Sequence, residues 1–579
     1  MAETLISPGV LARENDQTQI TSQPIQAGAA IVGPTVKGQV EIPTLVTSYS
    51  EYTAKFGGSF TSGSDEYSHL TSISAYNYFQ NGGSTLLVTR VASGSFSEAT
   101  SSFISGSTAG AIASGSAGGG TFTLETIGQG EIMNSESTLT SAGSLPSGSS
   151  DNLRWEIVSP NTSSGVFTVV IRRGDDNTKS KSVVESFTNV SLDPKSPNYI
   201  ARQIGDMKQN KAVSGTDVYL QTSGKYRNVS KYVRVKSVNL KTPDYLDNDG
   251  EAKAKFKDFI PVAQSGSFGD ADGKIFGNGA KYYDKIIDGN TQGLVGTDYD
   301  NAFSILANKD EFRYNIISAP GLIHTNTGQK TQLDNLISNT EGRGDAIVVI
   351  DLENYGSQVT TTTTTAAGLD TSYAAAYWPW VMVTDPNTAQ LVWIPASTLI
   401  PGVYASNDNS AEAWFAPAGI NRGGLGTVVQ AERKLTQANR DELYTGKVNP
   451  IATFPGKGVV VFGQKTLQTK TTALDRINVR RLLIELKSFI SQVSDNLVFE
   501  QNTGATRNTF LSQVNPYLES VQQRQGLFAF KVTMDDTNNT ADVIDRNQLV
   551  GAIYIQPTRT AEFIYLDFNI LPTGATFPV

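Results

Sequence analysis

The sequence predicts a multidomain protein of α/β and β character, with nested discontinuous α/β domains, a mostly β insertion and extended N- and C-terminal arms. Three observations carry this. Buried-strand runs alternate with helix-period segments at two separated places, around 29–91 and 316–350. Between them, 93–275 shows alternation and hairpin signals with little helical periodicity. The chain, at 579 residues, is too long for one core.

Taken in order, residues 1–20 lack a core-forming period, because Pro8 and Gly9 interrupt their one apolar patch; they read as an arm. Ala29–Gly33 and Leu86–Val91 read as buried strands. Between them Leu70, Ile73, Tyr76 and Phe79 fall at helical spacing until Asn81-Gly82-Gly83 stops the helix. Residues 93–150 are dominated by Ser, Gly, Ala and Thr. Further on, Phe167–Ile171 and Val183–Phe187 flank the turn Gly174–Thr178, a hairpin signal. Ile316-Ile317 and Ala346–Ile350 are strands again, with Leu333, Leu336 and Ile337 on one helix face between them. Thr360–Thr365 reads as a mobile surface loop. Ala473–Leu497 reads as a long amphipathic helix carrying Ile477, Leu483, Leu486, Ile490, Val493 and Leu497 on its apolar stripe. Thr506–Gln523 is helical with a kink or break at Pro516, and strands follow at 528–533, 549–556 and 563–570.

The predicted organisation is an N-terminal arm (1–20), a discontinuous middle α/β domain (21–92 and 276–419), a β-rich outer insertion (93–275), a C-terminal α/β domain (420–560) and a C-terminal arm (561–579).

Composition narrows function. Forty-six basic against 55 acidic residues give a net charge of −9, a poor balance for direct nucleic-acid binding. Cysteine is absent, which removes thiolate metal sites and cysteine nucleophiles. Two histidines, His69 and His324, are too few for a His-rich metal site, and neither lies in a catalytic pattern. No signal peptide and no apolar run of membrane-spanning length is expected. Gly458–Gly463 before Lys465-Thr466 falls short of a phosphate loop, since Gln464 is inserted and the segment between the glycines is strand-like. Asp247-Asn248-Asp249-Gly250 and Asp270–Gly273 lack the ligands of a calcium loop and read as acidic turns. Arg343-Gly344-Asp345 reads as a turn into the next strand. The expectation is a protein that is not an enzyme, with no catalytic residue, cofactor or metal.

Several segments, in order, resemble the contractile tail sheath family of myophages and related injection machines. They are Ser7-Pro8-Gly9-Val10, Glu185–Asp193 with Pro197–Ile200, Tyr377–Trp380, Ile394–Ser397, Gly402–Ala405, Ala416–Gly419, Asn449–Ile451, Pro455–Leu467 and Glu562–Ile570. The chain departs from the family at Leu11, where an aromatic residue often stands, and in 93–150 and the threonine run. The resemblance implies a virion subunit, assembled in the host cytoplasm, that polymerises as stacked hexameric rings around an inner tube. Contraction of the rings drives the tube through the host envelope for genome delivery. The implied partners are further copies of itself, the inner tail tube protein, and baseplate and tail terminator proteins, with no membrane insertion. It also implies that both arms add strands to neighbouring subunits, giving Ile6, Pro8, Gly9, Val10, Phe563, Tyr565, Phe568 and Ile570 as contact residues.

Arg476, Arg480 and Arg481 form a basic ridge at one end of the long helix. They either pair locally with Asp475 and Glu485 or face an acidic partner. Because the family's C-terminal domain is its innermost layer, they are candidates for the tube contact. Two rival readings stand beside this one. The sheath could belong to a bacterial headless injection machine. Alternatively, the Ser/Thr/Gly-rich insertion and the cluster Trp378, Trp380, Trp393 and Trp414 suit a secreted or virion-borne carbohydrate-binding adhesin or depolymerase.

Overall fold

A computed structural model describes residues 25–62, 65–103, 120–134, 149–177, 179–215, 217–274 and 286–562. Its centre is an eight-stranded sheet. The strands are β1 (Ala29–Gly33), β2 (Thr44–Val46), β3 (Leu86–Arg90), β4 (Ile316–Ile323), β5 (Ile347–Asp351), β6 (Ala374–Trp378), β7 (Asn449–Phe454) and β8 (Gly458–Val461). They lie in the order β8-β7-β6-β5-β4-β1-β3-β2. The inner six are parallel, and β2 and β8 close the two edges antiparallel.

A parallel sheet must be covered on both faces, which explains the unbroken apolar runs of its central strands. Alternate residues serve opposite layers. Ala29, Ile31, Val88, Ile347 and Val349 face one core, packed with α1 (Leu70–Gln80). Ala30, Val32, Leu87, Val348 and Ile350 face the other, covered by α2 (Thr327–Arg343). The left-handed Gly344, φ 73°, ends α2, and the Arg343–Asp345 turn leads into β5 as expected.

The threonine run is not a loop. It forms α3 (Val359–Ala367), with Val359, Thr362 and Ala366 buried at helical spacing. Threonine is only a fraction of a kcal/mol worse than alanine in a helix, about 0.7 at most, and packing overrides that. Next come α4 (Ile400–Ser410) and α5 (Gln437–Thr445). The expected domain boundary at 419/420 cuts through the main sheet, since β7 continues it beside β6.

Within 93–275, a three-stranded sheet and a four-stranded sheet share one core. Phe103, Phe122, Trp155 and Phe167 stack at its centre. The predicted hairpin is present, Val166–Arg173 pairing antiparallel with Val183–Ser191. The carboxylate of Asp176 in its turn is buried between Arg154 and Arg172.

The C-terminal part consists of α6 (Ile477–Asp495), α7 (Gly504–Gln523) and an antiparallel pair, β9 (Leu527–Thr533) and β10 (Ala552–Pro557). The long helix thus begins later than the sequence suggested, after a 3₁₀ turn at Ala473–Asp475. α7 runs unbroken past Pro516. That proline is exposed, so water can satisfy the freed carbonyl, while Phe510, Val514, Leu518 and Val521 fix both halves to the core.

Candidate assembly surface

α6 is sandwiched between two cores. Ile477 and Ile484 pack into the core beneath the main sheet. Leu482, Leu486 and Val493 pack with α7 and the β9–β10 pair. The first turns of this helix therefore have no free polar stripe, and the arginines expected there as an outward ridge must be corrected in orientation. Arg480 and Arg481 are only 3% and 4% exposed. Arg480 donates to Ser372 Oγ and lies 4.0 Å over the Tyr373 ring. Burial pulls its pKa below the usual guanidinium value. Arg481 pairs with Asp408, Nη2 to Oδ2 at 2.5 Å, and stacks over Tyr404. Burial opposes its charge, but Asp408 outweighs that and lifts its pKa.

Arg476 does meet the expected Asp475, at 2.9 Å, and also Glu562. Glu485, the other expected partner, forms no ion pair with these arginines. Asp408 takes that role from 73 positions away, a distance local charge patterning does not reach.

Glu562 is the hub of the surface where the described chain ends. Tyr444 donates its hydroxyl to Oε2, Gln464 Nε2 donates to Oε1 at 2.9 Å, and Arg476 Nε donates to the same oxygen at 2.8 Å. Burial raises the cost of its charge, yet these donors prevail and hold the carboxyl below the ordinary range. The arm residues Ile6, Pro8, Gly9, Val10, Phe563, Tyr565, Phe568 and Ile570 lie outside the described residues.

Beside this hub, β9 and β10 pair only with each other among the described residues. Each leaves one edge without a strand partner, a template for strand addition, although the Gln522 and Asn538 side chains donate to the Phe528 and Thr533 carbonyls of β9. Phe528 and Tyr554 on the pair are 76% and 64% exposed.

The other candidate chemistries resolve into packing. His69 is buried at the start of α1 and stacked on Phe60 at 4.7 Å. Burial drives its pKa down to about 3, with Arg90 adding to the effect. His324 Nε2 meets Asp334 Oδ1 at 3.0 Å. Gly458–Val461 is a strand, as read from the sequence. Asp247 Oδ1 caps its own turn by accepting from the amides of Asp249 and Glu251. Trp378, Trp380 and Trp414 are buried and Trp393 packs against the core, so the cluster offers no open platform for a sugar. No helix among the described residues is long and apolar enough to cross a membrane.

Comparison with known proteins agrees with this arrangement. The phage tail sheath central domain model matches residues 292–467, and the phage tail sheath C-terminal domain model matches 469–571. The division between them falls just after β8 rather than at 419/420. The tail sheath protein of Vibrio phage KVP40 is 38% identical over 214 residues, covering 37% of this chain and 31% of its own. That of Enterobacteria phage T4 is 40% identical over 185 residues, covering 32% of this chain and 28% of its own. The matches thus span about a third of the length of these relatives. A sheath tail protein from Listeria innocua shares the fold over 92% of this chain and 95% of its own, at 10% identity and a TM-score of 0.51. Residues 292–467 and 469–571 thus match the central and C-terminal domains of phage tail sheath proteins, following one another in chain order.

Proposed function

We propose that the chain is the structural subunit of a contractile tail sheath. It polymerises as stacked hexameric rings around an inner tube, and the lattice contracts to drive the tube through the host envelope. It works without nucleotide hydrolysis, because the free energy is stored in the assembled extended lattice. Its partners are its own copies, the inner tube protein, and baseplate and tail terminator proteins. It is carried in the virion after assembly in the host cytoplasm.

The observation that carries this reading is the open β9–β10 pair beside the anchored exit at Glu562. A two-stranded ribbon is marginal alone. Strands from the arms of neighbouring copies would complete it by edge addition. The domain scheme belongs to the same proposal, with 93–275 as an outer decoration and the C-terminal part innermost. Of the three tube-contact candidates, Arg476 is the one left partly exposed. Arg480 and Arg481 would act there by holding α6 in place.

Electron microscopy of the purified chain tests the proposal. The parent should form tubes or rings. Deletion of 1–15, or of 563–579, should leave circular dichroism unchanged and abolish polymers. Normal tubes from both truncations would defeat it.

A further inference from the structure

The tip between α6 and α7 exposes apolar side chains to water. Phe499 is 100% exposed and Val498 60%. Phe499 also adopts φ 71°, a left-handed backbone that disfavours a bulky side chain. A position that is both strained and fully exposed gains nothing from its own fold, which points to use elsewhere. Exposed Asp495 and Glu500 flank it, and neither has an ion-pair partner among the described residues.

At the other end of α6 lies a cavity of about 390 Å³ lined by Ala416, Ala418, Pro450, Phe462, Arg422 and Arg440. Phe462 is 43% exposed there. Arg440 lies over the rings of Phe454 and Phe462. Arg422 lies over Phe415. Neither guanidinium has a carboxylate partner among the described residues; they bond to the carbonyls of Ala416 and Leu435 and to Gln437.

We propose that Phe499 is an assembly knob that enters this cavity on a second copy of the chain, with Asp495 and Glu500 meeting Arg422 and Arg440. An apolar tip flanked by unpaired carboxylates fits a cavity whose Arg422 and Arg440 lack carboxylate partners, since the carboxylates that line it are already engaged, Asp441 by Gln437 Nε2 and Glu562 by Arg476, Gln464 and Tyr444. Arg476 at the start of α6 bonds to Glu562, which itself lines the cavity. The 19 residues of the helix separate that end from the tip, about 28 Å at 1.5 Å per residue. A knob cannot reach its own cavity across that length. The contact is therefore heterologous, and repeating it generates a ring or an open helix rather than a closed dimer. This inference rests on the self-assembly reading above.

The chain has no cysteine, so Phe499→Cys with Phe462→Cys in one polypeptide gives a clean cross-linking test with a short bis-maleimide. Assembled protein should yield a ladder of covalent dimers, trimers and longer species, and neither single variant should yield one. Separately, Phe499→Ser should keep the parent's circular dichroism and raise the critical concentration for polymerisation at least tenfold. Polymers with no ladder, or with Phe499→Cys alone stopping at dimers, would overturn the knob and leave the sheath reading intact. A parent chain that forms no polymer would overturn both, whereas loss of polymer in the double variant alone would match the Phe499→Ser result. Protection of Phe462→Cys from alkylation in polymers that give no ladder would assign the cavity to another occupant, such as residues 563–579 of a neighbour, and would also overturn the knob.

Discussion

Arg476 and Glu562 stand 86 positions apart in the chain and meet at 2.8 Å, Nε to Oε1. This contact fixes where the backbone leaves the described fold. Glu562 has a lowered pKa, so its stabilisation is present above the ordinary carboxylate range and is lost as pH falls through the folded value. Glu562→Gln should cost about 1–2 kcal/mol at pH 7. The difference in Tm from the parent should shrink as pH is lowered below the ordinary glutamate range. A gap that persists in strong acid would mean the effect is packing rather than charge.

Arg481 and Asp408 form a second long-range pair, buried on the arginine side and one-third exposed on the aspartate side. Asp408→Ala leaves a buried cation without its partner and should destabilise by about 3 kcal/mol, the low end for breaking a buried pair. Denaturant melts would read this as a lower midpoint at unchanged slope. Arg480→Glu with Arg481→Glu should not give a folded chain at all. A well-folded double variant would show that the first turns of α6 can separate from their cores.

Asp351 ends β5 fully buried, accepting from the amide and hydroxyl of Ser397. Burial pushes its pKa up to about 7, and the two Ser397 bonds offset that only in part. The folded state therefore holds this proton where the unfolded chain has released it. Stability from this group is full in acid and falls as pH rises from about 4 toward 7. Asp351→Asn should leave Tm at pH 5 nearly unchanged and raise it at pH 8. Equal shifts at both pH values would place the effect in packing.

Exposed Thr361 and Thr364 sit on the solvent side of α3. Thr361→Ala with Thr364→Ala should raise stability by about 1 kcal/mol in total through helix propensity. Thr362→Asp, on the buried face, should lower it by more than this gain. Chemical denaturation of each variant checks the sign.

Local signals in the sequence reached β1, β3, β4, β5 and β8 of the main sheet, but not β2, β6 and β7. They also reached the helix between β1 and β3 and the Val166–Ser191 hairpin, because burial period and turn residues are written in neighbouring positions. They did not reach α3, where six consecutive threonines look featureless until Val359, Thr362 and Ala366 find a core. Nor did they reach the fate of Arg480 and Arg481. A helix with one apolar stripe suggests a free opposite face, but α6 has a second core on that side, supplied by residues near 373, 404 and 408. The Phe499 tip and its cavity were equally silent, since exposure and cavity shape are properties of the folded chain.

Because α6 contributes Ile477 and Ile484 to one core and Leu482 and Leu486 to another, it behaves as a shared axle. Swivelling the layers about it would strip apolar surface on both sides at once. Under the contraction proposed above, a subunit built this way would transmit torque without yielding in its middle, and the rearrangement would be taken up at the joints between copies.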